Sequence, residues 1–156
     1  MKVVSFDPGK STGWAVLDPE SEGHLLINFG TTSNKTELVQ LLKDFETTNV
    51  QLQVVVEDYI NRPAKSGGFD HTWDKGYTHR IIGIIEGWCL RNRFKMTLQQ
   101  PVDKPGAYGI IGLKYLKGAK HTHHLDAIAH GFFYIHKHKL APQDKIFMAM
   151  AGKNNG

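Results

Sequence analysis

Three consecutive valines occupy residues 54–56 of this chain and are followed by the acid Glu57. A continuous run of β-branched residues is typical of a central strand that is buried on both faces. The run Val3-Val4-Ser5-Phe6 is also short, is apolar except for Ser5, and is likewise followed by an acid, Asp7. These two runs predict buried strands in a sheet that helices cover.

The rest of the pattern predicts three strands, a helix, a strand, a helix, a strand and a last helix. The expected strands are 3–6, 14–17, 22–32, 52–58 and 94–99, the first three as an antiparallel meander. The first expected helix begins at a cap, Asn34 or Thr36, and the other two cover 77–92 and 123–139. A loop is expected at 61–73. This order predicts an α/β fold with a mixed five-stranded sheet and helices on both faces. One domain, 1–140, would then be followed by a tail, 141–156.

Composition narrows the class of protein. The chain has 156 residues and a hydrophobic fraction of 40%, as in an ordinary globular protein. Its formal net charge of +4 is compatible with a polyanionic partner, although many basic proteins bind no nucleic acid. Cys89 is the single cysteine, so no intramolecular disulfide can form, and its apolar neighbours predict a buried thiol. We found no pattern of a signal peptide or membrane span, which predicts a cytoplasmic protein, in a host cytoplasm if the source is a phage.

Two acids follow predicted strands, and a third lies in the last predicted helix. If the strands before Asp7 and Glu57 pair in parallel, both carboxylates lie at one edge of the sheet, where they repel each other. A divalent cation would relieve that repulsion, and oxygen ligands favour Mg²⁺ or Mn²⁺. In the helix, His123, Asp126 and His130 fall largely off the apolar stripe, which lets His123 and Asp126 reach the same edge.

Each acid also has a structural interpretation. Asp7 before Pro-Gly could simply form a turn, Glu57 could end a strand in solvent, and Asp126 could favour the start of a helix. The three positions together are much less easily explained in that way.

Three segments resemble the RuvC-type crossover junction endonucleases. They are the opening Asp7-Pro-Gly-Lys-Ser-Thr-Gly-Trp-Ala-Val-Leu-Asp, the strand end Val55-Val56-Glu57-Asp58 and the helix His121-Thr-His-His-Leu-Asp-Ala-Ile-Ala-His130. The resemblance implies a ribonuclease H-like fold, a homodimer, and cleavage of four-way (Holliday) DNA junctions with two metal ions. It also implies that Asp7, Glu57 and Asp126 bind metal. His123 stands where many members have an acid and some have histidine, so it is a candidate ligand or proton shuttle.

Basic and aromatic residues after Glu57 are candidates for DNA contacts. Basic side chains would bind phosphates, and Phe69 or Trp73 would stack at the branch point. The alternatives are that Trp73 and Tyr77 pack on the core and that the later lysines are a solvated face. The predicted DNA-binding set is Arg62, Lys65, Phe69, Lys75, Arg80, Lys104, Lys117 and Lys120. The helix at 81–88 is the candidate dimer contact.

Three other functions compete with a junction nuclease. An actin-like phosphotransferase begins with a similar hairpin, but it duplicates the fold and is longer than 156 residues. A catalytically inactive protein that binds branched DNA would have no use for three clustered acids. A ribonuclease H-like enzyme acting on RNA–DNA hybrids stays open.

Overall fold

The computed structural model describes residues 1–48, 50–58, 72–101 and 122–142. These ranges contain five strands, namely β1 Lys2–Asp7, β2 Thr12–Leu17, β3 Leu26–Thr32, β4 Leu52–Glu57 and β5 Lys95–Gln99. They also contain three helices, namely α1 Lys35–Glu46, α2 Thr72–Asn92 and α3 His123–Lys137. None of these helices has the length and apolarity that a membrane span requires. Most of the predicted tail, 143–156, lies outside the described ranges.

The five strands form one mixed sheet in the order β3-β2-β1-β4-β5. β1 to β3 form the predicted antiparallel meander. β4 pairs in parallel with β1 on one side and with β5 on the other. In this register Phe6 lies opposite Val56, and Glu57 lies opposite Gln99. The carboxyl ends of three adjacent strands therefore meet at one edge of the sheet, as predicted for the first two.

The sheet has a hydrophobic core on each face, because successive strand residues point to opposite sides. Val3 and Val55 pack on the α3 face, whereas Val4, Val54 and Val56 pack on the face that α1 and α2 cover. All five valines are fully buried, which confirms the central strand and the helices on both faces. At about 1.5–3 kcal/mol for each buried aliphatic side chain, these residues are a main source of stability.

A side-chain hydrogen bond fixes the start of α1, and the backbone conformation of one residue fixes the end of α3. Asn34 is the N-cap of α1, since its side chain accepts from the backbone N–H of Glu37 at 3.0 Å. α3 ends at Lys137 rather than at the predicted residue 139, because Lys139 has a left-handed φ of 52° that cannot continue the helix.

β2, β3 and α2 also begin at other residues than predicted, and β2 begins at Thr12 rather than at residue 14. β3 begins at Leu26 rather than at residue 22, because the connection from β2 extends further and includes a turn in which Gly23 N donates to the Ser21 hydroxyl at 3.3 Å. α2 begins at Thr72, five residues before the predicted start of this helix at 77, and it overlaps the last two residues of the predicted loop at 61–73.

The predicted dimer contact falls on a helix whose apolar side chains pack inside this chain. Ile81, Ile85 and Trp88 are buried in the core under α2, as is Cys89, whose burial was predicted. A partner that packs on α2 would have to use the outer face of the helix, where Leu90 is 74% exposed.

Candidate active site

Asp7 and Glu57 lie at the ends of neighbouring parallel strands and point to the same face of the sheet. Asp7 lies two residues after Ser5 in β1, so the two side chains point to the same face, and Ser5 donates to the Ala127 carbonyl of α3 at 2.6 Å. Glu57 likewise lies two residues after Val55, which packs on the α3 face. Both acids therefore face α3 rather than solvent. Glu57 has a side chain only 13% exposed, so it does not end its strand in solvent.

Asp7 is in contact with the first residue of α3, His123. His123 Nδ1 lies 2.6 Å from Asp7 Oδ2, with the aspartate side chain 9% exposed and the imidazole 49% exposed. Because a carboxylate can only accept, Nδ1 carries the proton of this hydrogen bond. That arrangement fixes the ring orientation and makes Nε2 the atom that can bind a metal ion or transfer a proton.

Gly13 lets α3 approach closely enough for this contact. A Cβ at position 13 would lie 2.0 Å from the backbone carbon and oxygen of His123 and 2.5 Å from His124 N. Those atoms are backbone, so they cannot rotate away as a side chain can. A glycine in β2 is therefore required where the first turn of α3 lies on the sheet.

Glu57 is in contact with a buried histidine that the sequence placed off the apolar stripe. His130 is 1% exposed, and its Nε2 lies 3.3 Å from Glu57 Oε2. Its Nδ1 lies 2.7 Å from the side-chain oxygen of Gln99, at the end of β5. His130 can be buried because the strand ends provide polar partners. Sequence reasoning missed Gln99, although it ends a predicted strand as the two acids do.

A cavity of about 250 Å³ opens between these elements. Asp7, Glu57 and His123 line it together with Asp58, Thr78, Pro8 and Gly9, among the residues that the structure describes. Asp126 is not one of the residues that line it. Across the described ranges, no group of three or more His, Cys, Asp or Glu side chains lies close enough together to hold a metal ion as arranged here.

Comparison with known proteins identifies the fold. No protein-family model and no curated protein matches the sequence. Among solved structures, Thermus thermophilus RuvC in complex with Holliday junction substrate matches with a TM-score of 0.62 and 15% identity, over 88% of this chain and 96% of that chain. Fowlpox virus resolvase with Holliday junction DNA matches with a TM-score of 0.55 and 18% identity, over 86% and 99% of the two chains.

This chain has a ribonuclease H-like fold. In the ribonuclease H-like sheet the predicted ligands Asp7 and Glu57 lie at the carboxyl ends of β1 and β4, and His123 begins α3. Asp126 lies one turn after His123, in the first turn of α3, where a negative charge also suits the helix dipole.

The structure describes few of the predicted DNA contacts. Arg80 is exposed on α2, two residues after Thr78 of the cavity wall, while Trp73 and Lys75 lie in α2 with side chains outside the described part. Tyr77 packs against the core under α1 and α2, which confirms the structural alternative for that residue. The remaining predicted contacts lie outside the described residues, namely Arg62, Lys65, Phe69, Lys104, Lys117 and Lys120.

Proposed function

We propose that this protein is a divalent-metal-dependent endonuclease that cleaves four-way DNA junctions. The observation that carries the proposal is the convergence of Asp7, Glu57 and His123 on one cavity at the carboxyl edge of the sheet. The fold adds support, since the matched RuvC and fowlpox virus structures are those of proteins bound to Holliday junctions. The net charge of +4 suits a polyanionic substrate.

The donor set is compatible with magnesium or manganese. Mg²⁺ is usually bound through one or two protein carboxylates, with water and substrate phosphate completing its shell. Asp7 and Glu57 supply two carboxylates on adjacent strands, so a preformed group of three side chains is not required. Asp126 and His123 are the further candidate ligands, for a site of one or two ions. When bound, such ions neutralise the scissile phosphate and activate water for in-line attack.

His123 has a distinct task in this scheme. Its Nδ1–H donates to Asp7, which holds the imidazole at the cavity and orients the aspartate carboxylate. A half-exposed imidazole at this place can transfer a proton near neutral pH or bind metal through Nε2. In both roles the ring must stay within hydrogen-bond distance of Asp7.

We include a homodimer in the proposal. A four-way junction presents two equivalent strands for incision, and a two-fold symmetric dimer presents two equivalent sites. Size measurement by light scattering, with and without a junction, tests this part separately.

The decisive experiment compares substrates and two variants. Wild-type protein is incubated with a synthetic four-way junction, a linear duplex of the same arm sequence and an RNA–DNA hybrid, with Mg²⁺ or Mn²⁺. We expect junction-selective nicking, and we expect Asp7→Asn and Glu57→Gln to lose at least about 100-fold in rate while still binding the junction. Binding is measured in Ca²⁺ by gel mobility shift.

The chain offers a matched control for the glutamate variant. Glu86→Gln makes the same chemical change on the exposed outer face of α2, and it should cleave at the wild-type rate. Equal cutting of the hybrid would favour a ribonuclease H-like activity. Binding without any cutting would favour the inactive DNA-binding protein, and full activity in Asp7→Asn would refute the proposed site.

A further inference from the structure

A row of three polar side chains crosses the interface between β4, β5 and α3. Gln99 is 5% exposed and His130 is 1% exposed, so both are deeply buried, and the Glu57 side chain is 13% exposed. His130 lies between the other two, 2.7 Å from Gln99 and 3.3 Å from Glu57. A buried imidazole costs free energy unless both nitrogens have partners, so its position depends on its two neighbours.

The chemistry of the three groups sets the direction of the hydrogen bonds. A carboxylate only accepts, so Nε2 of His130 must carry a proton where it faces Glu57 Oε2. A neutral His130 then accepts at Nδ1, and the Gln99 amide can donate there after a 180° turn that exchanges its oxygen and nitrogen. In the described part of the chain no well-angled hydrogen bond reaches His130 Nε2, and the carboxylate oxygen that lies 3.3 Å from it is Glu57 Oε2.

We propose that His130 is a positioning residue that holds the Glu57 carboxylate in place through Nε2 and is itself held by Gln99. This inference rests on the proposed function and deepens it, since Glu57 is one of the proposed metal ligands. The neighbouring strand provides the anchor, because Glu57 and Gln99 are register partners. Partners that hold a ligating carboxylate or imidazole typically change metal affinity or activity by about 10- to 100-fold when they are removed.

Two amide substitutions test the contacts of the two imidazole nitrogens separately. In His130→Gln the amide reaches about as far as Nε2, so a donor to Glu57 is kept. In His130→Asn the amide reaches only about as far as Nδ1, so the contact with Gln99 is kept and the one with Glu57 is lost. Both substitutions put a neutral amide in place of the ring, which makes them a matched pair for stability.

The first readout is Mn²⁺ binding by titration calorimetry without DNA, with Glu57→Gln as the reference for a lost ligand. We expect His130→Asn to weaken Mn²⁺ binding by about 10- to 100-fold and His130→Gln to stay within about 3-fold of wild type. Wild-type affinity in both variants would overturn the inference. An equal loss in both would also overturn it, because it would show that the ring is needed only for packing.

The second readout uses the wild-type protein alone, so it does not depend on the folding of a variant or on a substrate. Nitrogen NMR of the ¹⁵N-labelled wild-type protein reports which His130 nitrogen carries a proton, and a proton on Nε2 is expected. A neutral tautomer with its proton only on Nδ1 would overturn the inference. Wild-type protein that shows Nε2–H and Glu57-dependent Mn²⁺ binding, yet cuts no junction, would refute the proposed function and leave the positioning role intact. If Mn²⁺ binding does not depend on Glu57, the proposed metal site fails and the Nε2 proton alone decides the inference.

Discussion

Replacing Gly13 with alanine should separate the first turn of α3 from the sheet. The added Cβ would lie 2.0 Å from the backbone of His123, and real Cβ contacts are essentially never shorter than 3.0 Å. The start of α3 must therefore move by at least about 1 Å. The same movement would stretch the contact of 2.6 Å between His123 and Asp7 beyond hydrogen-bond distance.

Two measurements follow from this displacement. Overpacking of this size costs about 1–3 kcal/mol, and in a domain of this length that lowers the melting temperature by roughly 2–12 °C. A misplacement of about 1 Å at a catalytic group can lower the cleavage rate by about 100-fold. Thermal unfolding by circular dichroism measures the first, and junction cleavage in Mg²⁺ measures the second.

Gly23→Ala is the matched control, since nothing lies within 4 Å of a Cβ at that position. It should leave both the melting temperature and the cleavage rate close to wild type. If Gly13→Ala also matched wild type in both measurements, α3 would not lie on Gly13 as described. The proposed link between helix position and the Asp7–His123 pair would then be wrong.

Three further outcomes are expected. Gly87→Ala on α2 meets nothing within 4 Å, so it should raise the free energy of unfolding by about 0.5–1 kcal/mol in denaturant titrations, and a loss would show that this face is covered. Burial, with repulsion from Glu86, raises the pKa of the Cys89 thiol from 9.0 to about 12. Because the unfolded chain loses the thiol proton at lower pH than the folded chain, the free energy of unfolding of the wild type should fall as pH rises from 9.0 to about 12, and Cys89→Ala should not show this fall. A disulfide reagent should label the thiol only after unfolding. Arg80→Ala should reduce the slope of log affinity for a junction against log salt by about 1, whereas Arg91→Ala, about 16 Å further along α2, should leave it unchanged.

The sheet and the clustering of two acids at one of its edges could be predicted, because both depend on short sequence patterns in β1 and β4. The valine run 54–56 is apolar at every position and the run 3–6 at every position but Ser5, a pattern typical of strands covered on both faces. Each ends in an acid, and parallel pairing of β1 and β4 brings Asp7 and Glu57 to one edge. Those steps need only the alternation of strand side chains and the direction of the chain.

The contacts of α3 could not be predicted in the same way. Helical spacing placed His130 off the apolar stripe, and it cannot show that a strand end will supply a polar partner for a buried imidazole. The partner, Gln99, is adjacent to Glu57 only because β5 joins the sheet beside β4. Likewise, the contact between His123 and Asp7 depends on Gly13, whose role becomes visible only when α3 lies against β2.

The proposed site is tested most directly by the Mg²⁺-dependent cleavage rate of a four-way junction by wild type and Asp7→Asn, at protein concentrations where both variants bind the junction fully. We predict that wild type nicks the junction and leaves the matched linear duplex intact, and that Asp7→Asn is at least about 100-fold slower. Cleavage by Asp7→Asn at the wild-type rate would contradict a site built on the carboxylates at the ends of β1 and β4.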